Sequence, residues 1–145
     1  MAPLTGKCLC GEVTLTMTPK AAAVHICHCG MCRRWTSSGF MGVEAAPGGL
    51  AHAGPVRVRQ TSDWAERAWC DSCGSTLWYR VTEPGPYENS YHVAAGLFEG
   101  AAEFPLTEEL CIDLKPAGYA FQGDHKKYTE AELLAMFAPD EGETP

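Results

Sequence analysis

Three tight cysteine groups constrain this chain more than anything else in it: Cys8-Leu9-Cys10, Cys27-His28-Cys29-Gly30-Met31-Cys32 and Cys70-Asp71-Ser72-Cys73. Together they hold seven of the eight cysteines in 145 residues, a clustering that composition alone does not produce. In extended chain, residues i and i+2 point to the same side, so a C-x-C pair presents two sulfurs to one ion. A C-x-x-C turn instead wraps back until its sulfurs converge. The N-terminus shows no charged-then-apolar leader, and no window approaches the ~18 apolar residues of a membrane span. A cytoplasmic location is therefore expected. In that reducing compartment eight cysteines call for metal or redox chemistry before disulfides. A thioredoxin-like redox pair at Cys70 and Cys73 is disfavoured, because the segment runs straight into Ser75-Thr76-Leu77-Trp78-Tyr79 without a βαβ pattern.

Structural zinc takes four tetrahedral ligands, and the natural partition assigns Cys8, Cys10, Cys70 and Cys73 to one closed site. Such a site ties the first strand to a distant turn and supplies folding free energy to a small irregular domain. Cys27, Cys29 and Cys32 then form a second site with three protein ligands, the usual number in a catalytic zinc centre. That makes two zinc ions per chain. For the fourth position the sequence leaves several readings open: an open or water-occupied place, His25 from the preceding strand, Cys111 from a distant one, or an empty or redox site. As a free cysteine, Cys111 is also expected to pack as a small apolar residue in a Leu110 to Leu114 strand. His28 alternates to the opposite face and is expected to pack or face solvent. Three thiolates on Zn²⁺ leave a net negative centre, a weak Lewis acid better suited to holding a substrate thiolate than to polarising a carbonyl. Arg33 and Arg34 follow directly and could pair with the carboxylates of an anionic thiol, or merely offset the thiolate charge.

Outside the cysteines the pattern is mostly β. Val13 to Thr18 alternates apolar and hydroxyl side chains, as a half-buried strand does, and Val56 to Thr61 repeats the pattern. Gly39 to Glu44, Ser75 to Val81, Tyr91 to Ala95 and Leu110 to Leu114 are further strand candidates. Ala45-Ala46-Pro47-Gly48-Gly49, extending to Pro55, and Glu83-Pro84-Gly85-Pro86 read as surface loops. Thr129-Glu130-Ala131-Glu132 is a capping-box pattern ahead of Leu133, Leu134, Met136 and Phe137, so a short C-terminal helix is expected there, stopped by Pro139. The four tryptophans, Trp35, Trp64, Trp69 and Trp78, are expected in the core or around the zinc. Hydrophobic residues at 46% suffice for one core, giving a single zinc-binding domain over 1–138 and a disordered acidic tail over 139–145. A net charge of -7 with only eleven basic residues, scattered, argues against nucleic-acid binding through phosphates.

Cys8-Leu9-Cys10-Gly11-Glu12-Val13, Cys27-His28-Cys29-Gly30-Met31-Cys32-Arg33-Arg34 and Cys70-Asp71-Ser72-Cys73-Gly74-Ser75, in this order and spacing, resemble the glutathione-dependent formaldehyde-activating enzyme family. The resemblance runs from about Lys7 to about Tyr128. It implies a β-tent fold, small antiparallel sheets around a structural zinc, with a second zinc on the C-x-C-x-x-C group. By position, Cys8, Cys10, Cys70 and Cys73 match the family's structural ligands, and Cys27, Cys29 and Cys32 its catalytic ones. The implied reaction is the formation of S-hydroxymethylglutathione from glutathione and formaldehyde, a carbon-sulfur lyase activity. Two functions follow as expectations: an enzyme acting on glutathione or a related thiol adduct, or a non-catalytic zinc-stabilised binding module.

Overall fold

The alternation read in the first apolar stretch is present in space: Leu15 and Met17 are buried while Thr14 and Thr16 are exposed. The structure, a computed structural model, describes residues 1–137; Pro139 and the acidic segment expected to be disordered lie outside the described residues. In chain order the elements are β1 (Leu4–Lys7), β2 (Thr14–Pro19), β3 (Val24–Cys27), α1 (Gly30–Thr36), β4 (Phe40–Ala53), β5 (Val56–Gln60), β6 (Ala65–Cys70), β7 (Thr76–Val81), β8 (Tyr91–Ala94), β9 (Leu106–Leu110), β10 (Lys126–Tyr128) and α2 (Glu130–Phe137). The protein is thus mainly β with a short C-terminal helix, as expected. Its described residues divide into two compact units, one of Met1–Val24 with Met41–Pro105, the other of His25–Phe40 with the described residues from Leu106 onward.

In the first unit β5, β6, β7 and β8 form an antiparallel meander, and β8 pairs with Gly42–Glu44 of β4. Further along, β4 exchanges β8 for β2, which in turn pairs with β1. One long strand thereby serves two small sheets. The expected loop at Ala45 to Gly49 is a correction: these residues continue β4 across an irregularity, with the register jumping from Met17↔Leu50 to Pro19↔Ala45. Proline and glycine are strand breakers in a regular ladder but are at home in a bulge, where pairing is already interrupted. At Gly49 a Cβ would sit 2.8 Å from the Ala46 carbonyl oxygen and 2.9 Å from that of Thr18, so no larger residue fits.

Val13, Leu15, Met17, Val43, Leu77, Trp78, Val93 and Phe98 make the core of this unit. β5 departs from expectation: Val58 is 47% exposed, because the strand pairs with β6 and its other residues face solvent. Trp78 is buried as expected, whereas Trp64 is exposed.

The second unit carries β9 between β3 and β10, with β10 parallel to β9. The expected strand at Leu110 to Leu114 is also corrected: β9 ends at Leu110, Cys111 turns left-handed (φ 55, ψ 48), and Ile112–Leu114 is a 3-10 turn. The capping box forms reciprocally, Glu132 N–H donating to Thr129 Oγ1 at 3.1 Å and Thr129 N–H to Glu132 Oε1 at 3.0 Å. Such a cap stabilises a helix by about 1 kcal/mol. Among the described residues no helix is long and apolar enough to cross a membrane.

Candidate metal centres

Cys8 follows β1 directly, and Cys8-Leu9-Cys10-Gly11 is a turn, not the extended pair expected from the spacing. Gly11 N–H closes it on Cys8 O at 3.1 Å, with Gly11 at φ 81. Cys70 ends β6, and the turn through Cys73 closes in the same manner, Gly74 N–H on Cys70 O at 2.8 Å with Gly74 at φ 78. Both turns need a left-handed residue, which glycine supplies without a steric penalty. They bring the four sulfurs within 4.8 Å of one another. Cys8 and Cys10 sulfurs are 3.6 Å apart, and Cys10 and Cys70 sulfurs 3.9 Å. Sulfurs bound tetrahedrally to zinc at its usual bond length are separated by about 3.8 Å. The donor set therefore fits zinc in both kind and spacing.

Cross-links between the two turns hold this arrangement: Leu9 N–H donates to Ser75 Oγ at 3.0 Å, and Ser72 Oγ donates to Glu12 Oε2 at 2.5 Å. The Ser75 hydroxyl and amide and the Cys10 amide pull the Cys73 thiol down to about 5, so one sulfur is ready as thiolate at neutral pH. Although the Glu12 amide acts to lower it, Cys10 is pushed up to about 12 by burial and the neighbouring sulfurs. A bound cation removes that conflict by accepting all four sulfurs as thiolates.

Cys27 ends β3, Cys29 caps α1, and Cys32 lies one turn into that helix. Cys29 Sγ accepts the Cys32 N–H at 3.4 Å, the contact that Cys70 Sγ makes with the Cys73 N–H, also at 3.4 Å. The spacing of the cysteines suggests only a turn at this place, and the helix is a finding of the structure. The three sulfurs Cys27, Cys29 and Cys32 gather within 4.8 Å of one another, and His25 is not part of that group. Hydrogen bonds from the thiols of Cys111, Cys29 and Cys32 hold Cys27 far below the ordinary thiol range, while Cys32 is pushed up by Cys27 and Cys29.

Arg33 Nε donates to the His28 carbonyl at 3.0 Å. A Cβ placed on Gly30 would lie 2.7 Å from Arg34 Nη1 and 4.0 Å from Arg33 Nη2. Both guanidinium groups therefore lie at the glycine that separates Cys29 from the rest of α1.

Sequence reasoning missed a buried polar cluster behind these sulfurs. His28 is 0% exposed and donates through Nε2 to Glu109 Oε1 at 2.8 Å, while His125 Nε2 bonds to Glu109 Oε2. Burial alone would raise the Glu109 carboxyl, but the two histidines outweigh it and hold it below its usual value. Tyr119 and Phe121 line the His28 ring at centroid distances of 6.0 and 6.1 Å. Glu109 is a charged residue whose burial only the arrival of two histidines in space accounts for.

A mainly β chain with two sulfur clusters, each compact enough for one ion, defines a small protein able to hold metal on thiolates. Residues 3–112 match the family described as glutathione-dependent formaldehyde-activating enzyme, and the chain belongs to that family. It is similar to a Schizosaccharomyces pombe protein described as uncharacterized lyase C29B12.13, 31% identical over 135 residues, covering 92% of this chain and 96% of the relative.

Proposed function

We propose that this protein is a zinc-dependent enzyme acting on glutathione or a related thiol, with S-hydroxymethylglutathione formation from glutathione and formaldehyde as the reaction that fits best. The observation that carries this reading is the three-sulfur group of Cys27, Cys29 and Cys32 with two guanidinium groups at Gly30. The family and the name of the yeast relative support a glutathione-related lyase. In this reading Cys8, Cys10, Cys70 and Cys73 hold a structural zinc, and Cys27, Cys29 and Cys32 hold the zinc of the reaction site. Zinc held there would keep a bound thiol deprotonated below its solution pKa.

Arg33 or Arg34 pairs with a carboxylate of the thiol, and the Arg33 Nε bond to His28 fixes one guanidinium relative to the sulfurs. The net chemistry adds sulfur to the carbonyl carbon and the thiol proton to its oxygen. Thiols add to formaldehyde readily without help, so a thousandfold acceleration needs a barrier lower by only about 4 kcal/mol. Activating and orienting the thiol suffices for that.

The test is adduct formation by fully zinc-loaded protein, followed against the uncatalysed rate. Cys29→Ser should return the rate to background, and Arg34→Ala should weaken thiol binding while leaving zinc content unchanged. Background rates in loaded wild-type protein contradict the enzyme reading. They favour the second reading, a non-catalytic zinc-stabilised binding module.

A further inference from the structure

We propose that Glu109, itself held by His125, is a positioning residue for the Cys27 centre, acting through His28 to fix the spacing of the Cys27 and Cys29 sulfurs. The proposal rests on reading Cys27, Cys29 and Cys32 as a metal site and deepens that reading.

His28 is the middle residue of the C-x-C pair, between the end of β3 and the cap of α1. Its N–H donates to the Leu110 carbonyl at 2.9 Å, and its own carbonyl accepts from Arg33 Nε at 3.0 Å. The ring has a single polar anchor. Nε2 meets Glu109 Oε1 at 2.8 Å, whereas the buried Nδ1 has no hydrogen-bond partner among the described residues. Two of the three bonds that hold His28 therefore reach the end of β9, and the third reaches α1. The cysteines attach directly on either side of this residue, so whatever fixes His28 fixes how far apart their sulfurs stand.

Glu109 is secured from its far side as well. Its second oxygen accepts from His125 Nε2, and the three side chains are 0%, 1% and 2% exposed for His28, His125 and Glu109. A carboxylate with both oxygens engaged cannot rotate without breaking one bond, and away from water nothing replaces the bond that is lost. Tyr119 and Phe121, from the segment that leads to His125, stand 6.0 and 6.1 Å from the His28 ring and help to enclose it. Apolar side chains would fill the same volume without the cost of desolvating a carboxylate. What the polar trio adds is direction: it fixes the His28 ring in one orientation, and with it the peptide that carries the two sulfurs. Groups that orient metal ligands from behind are worth about 10–100-fold in metal affinity.

The experiment uses the full chain loaded with Zn²⁺ and, in parallel, with Co²⁺. Wild type, Glu109→Gln, His125→Ala and His125→Gln are compared in chelator competition, absorption and melting. Gln at position 125 keeps an N–H near the place of Nε2, and Ala removes it. Glu109→Gln and His125→Ala should bind metal at the Cys27 centre about tenfold more weakly or worse, with the Cys8 centre unchanged. The cobalt ligand-field bands of the Cys27 centre should shift in both, and His125→Gln should return affinity and bands to wild-type values. Should Glu109→Gln fail to fold, the two His125 variants decide alone. A purely structural role would lower the melting temperature of His125→Ala and leave affinity and bands of the folded protein unchanged. That result overturns the proposal, as does equal weakening in both His125 variants or a wild-type Cys27 centre that takes up no metal. Weakened metal and shifted bands in His125→Ala, with no adduct formed by wild type, support the positioning role and remove the enzyme reading alone. Adduct formation by wild type, with unaltered affinity and bands in His125→Ala, does the reverse.

Discussion

The two cysteine clusters share one local device and differ in everything around it. In each, the first sulfur of a C-x-x-C accepts the amide of the second cysteine at 3.4 Å. In the first cluster, that turn meets a second turn 60 residues away, and the contact between them consists of the sulfurs and a few surface hydrogen bonds. In the second, all three neighbouring sulfurs come from six consecutive residues, and the distant strand β9 is held by a buried carboxylate and a backbone bond. In the proposed reading, a metal would hold the fold together at one cluster and be left available for chemistry at the other. Closing a 60-residue loop costs roughly 2 kcal/mol more chain entropy than closing a six-residue one, a cost that a metal bound at the first cluster would offset.

Cys70→Ser should break the comparison most severely. It leaves three ligands at the first cluster, and a structural site of this kind is worth about 10 kcal/mol or more of apparent binding free energy in small zinc domains. Loss of cooperative melting, read by circular dichroism, is the expected outcome. Next comes Glu109→Gln, which leaves His28 and His125 facing an amide; stability should fall by roughly 1–3 kcal/mol in urea melts. Because the Glu109 carboxyl is held low, its contribution is present above the ordinary carboxyl range and lost as pH falls through the folded value. The gap between wild type and Glu109→Gln should therefore shrink in acid.

Cys29→Ser should lose the second metal yet melt within roughly 1 kcal/mol of wild type, since Glu109 and not the sulfurs holds β9 in place. Equal losses for Cys70→Ser and Cys29→Ser would contradict the division of roles. The smallest effect belongs to Ser75→Ala. Cys73 stays thiolate until pH falls through about 5, and part of that depression comes from the Ser75 hydroxyl. Without it the thiolate, which is the metal-binding form, is lost at a higher pH. Acid-induced zinc release should begin a fraction of a pH unit earlier, followed with a zinc-sensitive dye.

Much of this contrast is legible in the spacing of the cysteines, because sulfurs at C-x-C and C-x-x-C intervals have few ways to satisfy themselves. The partition into Cys8, Cys10, Cys70, Cys73 and Cys27, Cys29, Cys32 needs no structure. The conformations do not follow from it. Cys8-Leu9-Cys10 is a turn where alternation suggests a strand, and α1 begins on a cysteine cap that the usual Ser, Thr, Asp and Asn rules do not cover. Pro47-Gly48-Gly49 carries every mark of a loop, yet pairing with β2 holds it within β4 as a bulge. Glu109 escapes because its meaning depends on a partner that sequence distance hides, His28. Local signals decide helix caps and strand alternation; long-range electrostatics decides which charged residue is buried.

Graded chelation of the zinc-loaded full chain, with metal counted by native mass spectrometry and the vacated cysteines identified by alkylation, tests the central claim most directly. Two zinc ions per chain are expected at the start. Cys27, Cys29 and Cys32 should become reactive first, while the chain remains folded, and Cys8, Cys10, Cys70 and Cys73 only as it unfolds. A single zinc after full reconstitution, or alkylation of the Cys8 cluster before the Cys27 cluster, would contradict it.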